Sequence, residues 1–174
     1  MCKLEGKLVH DSYNVLLCGI GGQGTVLASR LIAQCAMDGG AFARTAETIG
    51  MAQRGGSVVS HVRWAMDKRL IPSPMITPGD ADVLIAFDPT EAARCAHYLK
   101  DGGASVVCGT QIDGAALALE CGSIKSLNMV MLGAASALLG FTLEDMTAAL
   151  EGRVNPKFIE MNRRALKAGR DALL

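Results

Sequence analysis

Two stretches of this sequence have the residue types of an anion cradle. Residues 14–25 read NVLLCGIGGQGT, and residues 47–56 read ETIGMAQRGG. In the first, the apolar run Val15–Cys18 leads into Gly19, Gly21, Gly22, Gln23 and Gly24. Thr25 then opens an apolar, helix-compatible segment. The spacing Gly19-x-Gly21-x-x-Gly24 is that of a phosphate-binding turn between a strand and a helix. Gly19 would let the chain leave the strand, Gly21 would let a phosphate approach the backbone, and Gly24 would let the helix pack closely. The helix would then direct its free N–H groups and positive dipole end at the loop. In the second stretch Arg54 precedes Gly55 and Gly56, setting a guanidinium beside backbone free to present N–H groups to a phosphate or carboxylate. A tight turn that binds nothing and a solvated arginine are the plainer readings of the same residues.

Other polar residues are weaker candidates. Glu47 lies 23 residues beyond Gly24, roughly where a dinucleotide-binding unit places the acid that holds a ribose. Asp88 ends the buried run 82–88, at the carboxyl end of a strand where α/β folds bind ligands, and helix capping accounts for it equally well. His61 is expected on an exposed strand face, and Asn128 as the cap of a helix. No residue is assigned an acid/base or nucleophilic role. There is no GK[ST], no HExxH and no Ser-His-Asp signature.

The elements that position these residues alternate. After a polar, frayed segment 1–12 comes a strand ending at Cys18, then a helix over 25–37 closed by Gly39-Gly40. A short strand is expected at 41–45. Residues 57–64, SVVSHVRW, form a β-branched strand, and Pro72 and Pro74 break the chain into a loop that could cover a site or meet a partner. A buried strand 82–88 leads to a helix over 90–99. A turn at Gly102-Gly103 and a strand 104–108 come next. Residues 115–120 are ambiguous. Helices follow over 129–139, over 141–151 with a Thr142–Asp145 capping box, and over 156–173 with Pro156 at the first position. This order predicts an α/β fold, a single Rossmann-like three-layer domain (1–174) on a mainly parallel sheet.

Composition excludes several classes. Lys plus Arg equals Asp plus Glu, at 17 each, so there is no basic surplus for a nucleic-acid partner. Six cysteines stand at 2, 18, 35, 95, 108 and 121, no two closer than 13 residues, which is neither a zinc nor an iron–sulfur spacing. They are expected to be buried, reduced thiols, and the setting cytoplasmic. The most apolar run, 129–141, is too short to span a bilayer, so no membrane is expected.

Three motifs in order, GIGGQG at 19–24, GMAQRGGSVVSHVR at 50–63 and ADVLIAFDPTEAA at 81–93, resemble the gamma-type subunit of 2-oxoacid:ferredoxin oxidoreductases. The MAQRGG wording, residues 86–103 and NPKFIEMNRRALKAG at 155–169 are most similar to the small beta subunit of the indolepyruvate enzymes. The resemblance implies a subunit without activity of its own. Its complex would turn an aryl 2-oxoacid, coenzyme A and oxidised ferredoxin into an acyl-CoA, carbon dioxide and reduced ferredoxin. Thiamine diphosphate and iron–sulfur clusters are then expected on a larger partner subunit. Gly19, Gly21, Gly22, Gln23, Gly24, Thr25, Arg54, Gly55 and Gly56 are expected to contribute to coenzyme A binding, with no catalytic and no metal-ligating residue in this chain. Two other readings remain open: a stand-alone NAD- or FAD-binding reductase, and a non-catalytic structural subunit.

Overall fold

The computed structural model describes residues 12–50 and 55–173; residues 1–11 of the segment expected to fray and Arg54 lie outside the described residues. Among the described residues five strands form one sheet in the order β2-β3-β1-β4-β5. The strands are β1 (Tyr13–Ile20), β2 (Phe42–Ile49), β3 (Ser57–Ala65), β4 (Ala81–Ala86) and β5 (Leu99–Val107). β1, β4 and β5 run parallel, while β3 pairs antiparallel with both β1 and β2. Four strands therefore point one way and β3 alone opposes them. The reversal arises because β2 continues to Ile49, beyond the short strand expected, and pairs along its whole length with β3.

The helices are α1 (Thr25–Asp38), α2 (Pro89–Cys95), α3 (Gly114–Glu120), α4 (Leu127–Leu139), α5 (Leu143–Leu150) and α6 (Ile159–Asp171). α1 and α4 cover one face of the sheet, packing Leu31, Ile32, Met131 and Leu132 against Val15, Leu17, Val62, Trp64 and Ile85. α5 and α6 stack behind them. The other face is thinner. Leu16, Cys18, Leu84 and Ala86 are covered by Ile76 and Cys95, brought there by the 71–78 segment and by α2. The three-layer order expected from the sequence is present, with unequal outer layers.

α4 and α6 cross with their backbones in contact. A Cβ on Gly133 would lie 1.9 Å from the Leu166 carbonyl oxygen, and one on Gly169 would lie 1.9 Å from that of Val130. Glycine is required at this crossing by the lack of space, not by conformation. The proline-containing segment folds onto its own sheet: Arg63 donates to the carbonyls of Ser73 and Met75, at 3.1 and 3.2 Å. His61 is 1% exposed, which overturns its expected place on an exposed face. Its Nδ1 accepts the Ile76 N–H at 3.2 Å, and its ring meets Tyr98 edge-on. Gly102 and Gly103, expected as a turn, lie inside β5, where the register shifts opposite Ala81 and Val83.

In a helix interior, replacing Gly by Ala ordinarily adds about 1 kcal/mol of stability. Gly133→Ala is expected to do the reverse here and cost about 2–3 kcal/mol, because the new methyl overlaps a rigid carbonyl; denaturant unfolding measures it. Burial holds the His61 pKa below 6.5, so the folded chain favours the neutral ring. Its contribution to stability is then complete above the unfolded value of about 6.5 and declines as pH falls below it. The urea midpoint is expected to drop between about pH 7.5 and 5.5, and His61→Gln to flatten that slope.

Candidate functional site

The glycine loop lies at the carboxyl ends of β1 and β4. These parallel neighbours send their helices to opposite faces, α1 to the thick layer and α2 to the thin one. That divergence opens a crevice above the sheet, the place where open α/β sheets bind ligands.

The loop is stapled by Gln23. Its Oε1 accepts the Ile20 N–H at 2.7 Å, and its Nε2 donates to the Phe87 carbonyl at 3.2 Å. The Gln23 N–H also donates to the Ile20 carbonyl at 3.1 Å. One carboxamide thus ties the β1 turn to the residue that follows β4. Gly19 is required by this staple: a Cβ there would lie 2.6 Å from Gln23 Oε1 and 2.9 Å from Phe87 Cβ. Its expected role as a conformational exit from the strand is not what the structure shows, since its φ is not positive. Gln23, grouped with the ligand contacts on sequence grounds, has its amide committed to the backbone.

Gly24 caps α1 in the left-handed region, φ +83°, and sits against α4. A Cβ there would meet Asn128 Nδ2 at 2.6 Å. The expected close packing of Gly24 on its own strand is replaced by this contact. Asn128 lies within α4, one residue past its first, and its Oδ1 accepts the Met129 N–H at 3.0 Å, so it does not cap the helix as expected. Gly21 and Gly22 are exposed. A Cβ on Gly21 would meet nothing nearer than 3.6 Å, and Gly22 faces open space at φ +100°. Thr25 is buried at the start of α1.

The second stretch folds against the first. The Gly21 N–H donates to the Gly56 carbonyl at 2.9 Å, and Gly55 stands over Ile20. Gly50 donates to Ser57 O at 2.7 Å, closing the base of that connection. The structure therefore brings Gly19–Thr25 together with Gly55 and Gly56. Ser57 and Glu91 join this region without having been singled out. Ser57 Oγ donates to Glu91 Oε2 at 2.5 Å, and Arg94 pairs with Glu91 at 3.1 Å. The only sequence signal for Glu91 was its place in the first turn of a helix. Asp88 caps that helix, accepting from the N–H groups of Thr90 and Glu91 at 2.8 and 3.2 Å.

Glu47 is not where a ribose-binding acid would stand. It pairs with Ser60 on β3, and β3 separates β2 from β1. Beneath the loop, the Cys18 thiol is pushed far above its ordinary range, first by its hydrogen bond to Cys95 and then by burial. The same hydrogen bond draws Cys95 down. Cys18 therefore stays a thiol and offers no nucleophile. Cys18, Cys95, Cys108 and Cys121 form no disulfide among the described residues, and the first three are buried. Among the described residues no three His, Cys, Asp or Glu side chains converge, and no helix is long and apolar enough to cross a membrane.

Residues 14–172 match the family described as Pyruvate ferredoxin/flavodoxin oxidoreductase. The chain is 33% identical to the Indolepyruvate oxidoreductase subunit IorB of Thermococcus kodakarensis, over 90% of this chain and 94% of that one. It is also 33% identical to the subunit of the same name from Archaeoglobus fulgidus, over 90% and 92%. Among solved structures it resembles the keto/oxoacid ferredoxin oxidoreductase gamma subunit of Geobacter sulfurreducens, with TM-score 0.78 and 26% identity over 92% and 98% of the two chains.

Gln23→Leu keeps the bulk of the side chain and removes both carboxamide hydrogen bonds. It is expected to cost about 1–2 kcal/mol. Hydrogen exchange at the Ile20 amide should quicken by about tenfold as the loop opens locally.

Proposed function

Because this chain belongs to the pyruvate ferredoxin/flavodoxin oxidoreductase family, as a small subunit of a 2-oxoacid ferredoxin oxidoreductase, we propose that its complex oxidises an aryl 2-oxoacid such as indolepyruvate and that this chain helps to hold coenzyme A. The aryl preference draws support from the two indolepyruvate oxidoreductase subunits that match across nine-tenths of the chain. Thiamine diphosphate and iron–sulfur clusters belong, on this reading, to a larger partner subunit, and ferredoxin takes the electrons from there.

One observation carries the coenzyme A role. Gly21 and Gly22 are exposed in front of the α1 N-terminus, at the carboxyl ends of β1 and β4, with the Gly21 N–H bonded to Gly56 and open space beside Gly22. α1 has no acidic residue in its first turn, so no carboxylate of its own offsets its positive dipole end there. A phosphate-bearing ligand suits such a site: it brings negative charge to the helix terminus and needs close approach to the backbone. Gly55 and Gly56 form the adjoining wall, and Arg54, the residue before them, would add a guanidinium for a phosphate. Gln23 and Gly19 act indirectly by holding the loop, and Gly24 by seating α1 against Asn128. Thr25 contributes as the first residue of α1.

This chain supplies binding and placement. The thioester-forming chemistry needs the ylid of thiamine diphosphate, which the partner subunit would carry. The assembled complex, given indolepyruvate, coenzyme A and oxidised ferredoxin, is expected to reduce the ferredoxin only when coenzyme A is present. Arg54→Ala should raise the KM for coenzyme A by about tenfold with little change in kcat, as loss of one charge-assisted phosphate contact predicts. An unchanged KM would remove the arginine from the site.

A further inference from the structure

A concavity opens beside Asn128, whose side chain also abuts Gly24 of the glycine loop. Leu27, Met129, Val154, Phe158 and Met161 wall a cleft of about 410 Å³ between the first turns of α1 and α4 and the start of α6. That volume lies at the small end of the roughly 300–1,000 Å³ of small-molecule sites. Its walls are apolar, and Phe158 is left 43% exposed, so an apolar occupant would gain by covering them. Two methionine thioethers, on Met129 and Met161, face this space from different helices and favour an aromatic ring. Ser123 and Asn162 add a hydroxyl and a carboxamide, and Asn162 is only 8% exposed. No acidic side chain lines the cleft, and Lys125 is its one charged residue. Lys125 makes no ion pair with any described residue.

We infer that this cleft is a binding site for a small apolar carboxylate, above all an aryl carboxylate, with its ring between Met129 and Met161 and its carboxylate at Lys125. The cation selects an anion over a neutral isostere, and the absence of acids leaves nothing to repel it. Leu27 and Asn128 line this cleft, and Asn128 also abuts Gly24, so the cleft adjoins the glycine loop. The proposal gives this ligand a site of its own beside the loop, and it is independent of the coenzyme A reading.

The test is titration of the 174-residue chain, labelled at its methionine methyls and uniformly with 15N, with phenylacetate and with its neutral isostere phenylacetamide. Phenylacetate should shift the Met129 and Met161 methyls saturably, and phenylacetamide should bind about fivefold more weakly. Lys125→Gln should erase that difference. Met161→Trp, which fills the cleft, should weaken phenylacetate by at least about tenfold; Phe158→Ala, at the exposed rim, should weaken it as well and serves if the tryptophan variant does not fold. Absence of a saturable shift, equal binding of acid and amide, or shifts spread over all methionines would overturn the site. Mutual displacement of phenylacetate and coenzyme A would overturn its separateness. Coenzyme A is titrated on the same sample and read at the Gly21 and Gly22 amides, so failure of the loop reading is seen apart from failure of this one.

Discussion

The constraint on which the rest depends is the contact of two helix backbones at Gly133 and Gly169. α6 docks into α4 at a distance no side chain permits, so α4 is fixed along its length and not only at its buried face. α4 in turn packs on β4 and β5 and carries Asn128 at its first turn. Asn128 fills the space a side chain at residue 24 would need. The close helical crossing thus helps to decide where the loop's last glycine can stand. Small residues make this affordable in packing terms: dispersion contacts between backbones replace those of the missing side chains.

The loop itself divides its glycines by purpose. Gly19 and Gly24 are demanded by neighbours, Gln23 and Asn128 respectively, whereas Gly21 and Gly22 have nothing beside them that a Cβ would strike. A glycine needed for internal packing and one that leaves backbone open look alike in a motif. They differ in what they imply. The first kind holds the turn rigid, and the second presents it. With Gln23 bridging the two central parallel strands, the presented backbone is held in place before any ligand arrives.

The readable parts of the fold were those dictated by local chemistry. Val15–Cys18 and residues 83–86 are continuous apolar runs that cannot face water on either side, and both lie in central strands. Thr142 and Asp145 form their capping box because both partners lie within one turn. Where neighbours in space decide, local reading fails. His61 sits on a polar-looking strand face that the 71–78 segment covers, and only that cover supplies the Ile76 N–H its ring accepts. Gly102 and Gly103 read as a turn, yet they lie within β5, in the register shift between the residues that pair with Ala81 and Val83. Glu47 has the spacing of a ribose ligand and stands on a strand that β3 separates from β1.

What this sequence determined by itself was the set of elements, the strand–glycine–helix turn and the family, because each rests on residues near one another in the chain or on an ordered set of motifs. What only the tertiary structure decided was adjacency. It placed Gly56 against Gly21, Asn128 against Gly24 and β3 beside β1. Those contacts join residues far apart in the chain, and they depend on the fit of surfaces that no spacing within a motif encodes. The site is therefore a product of packing as much as of pattern: the glycines make an open backbone available, and the helices around them decide which part of it stays open.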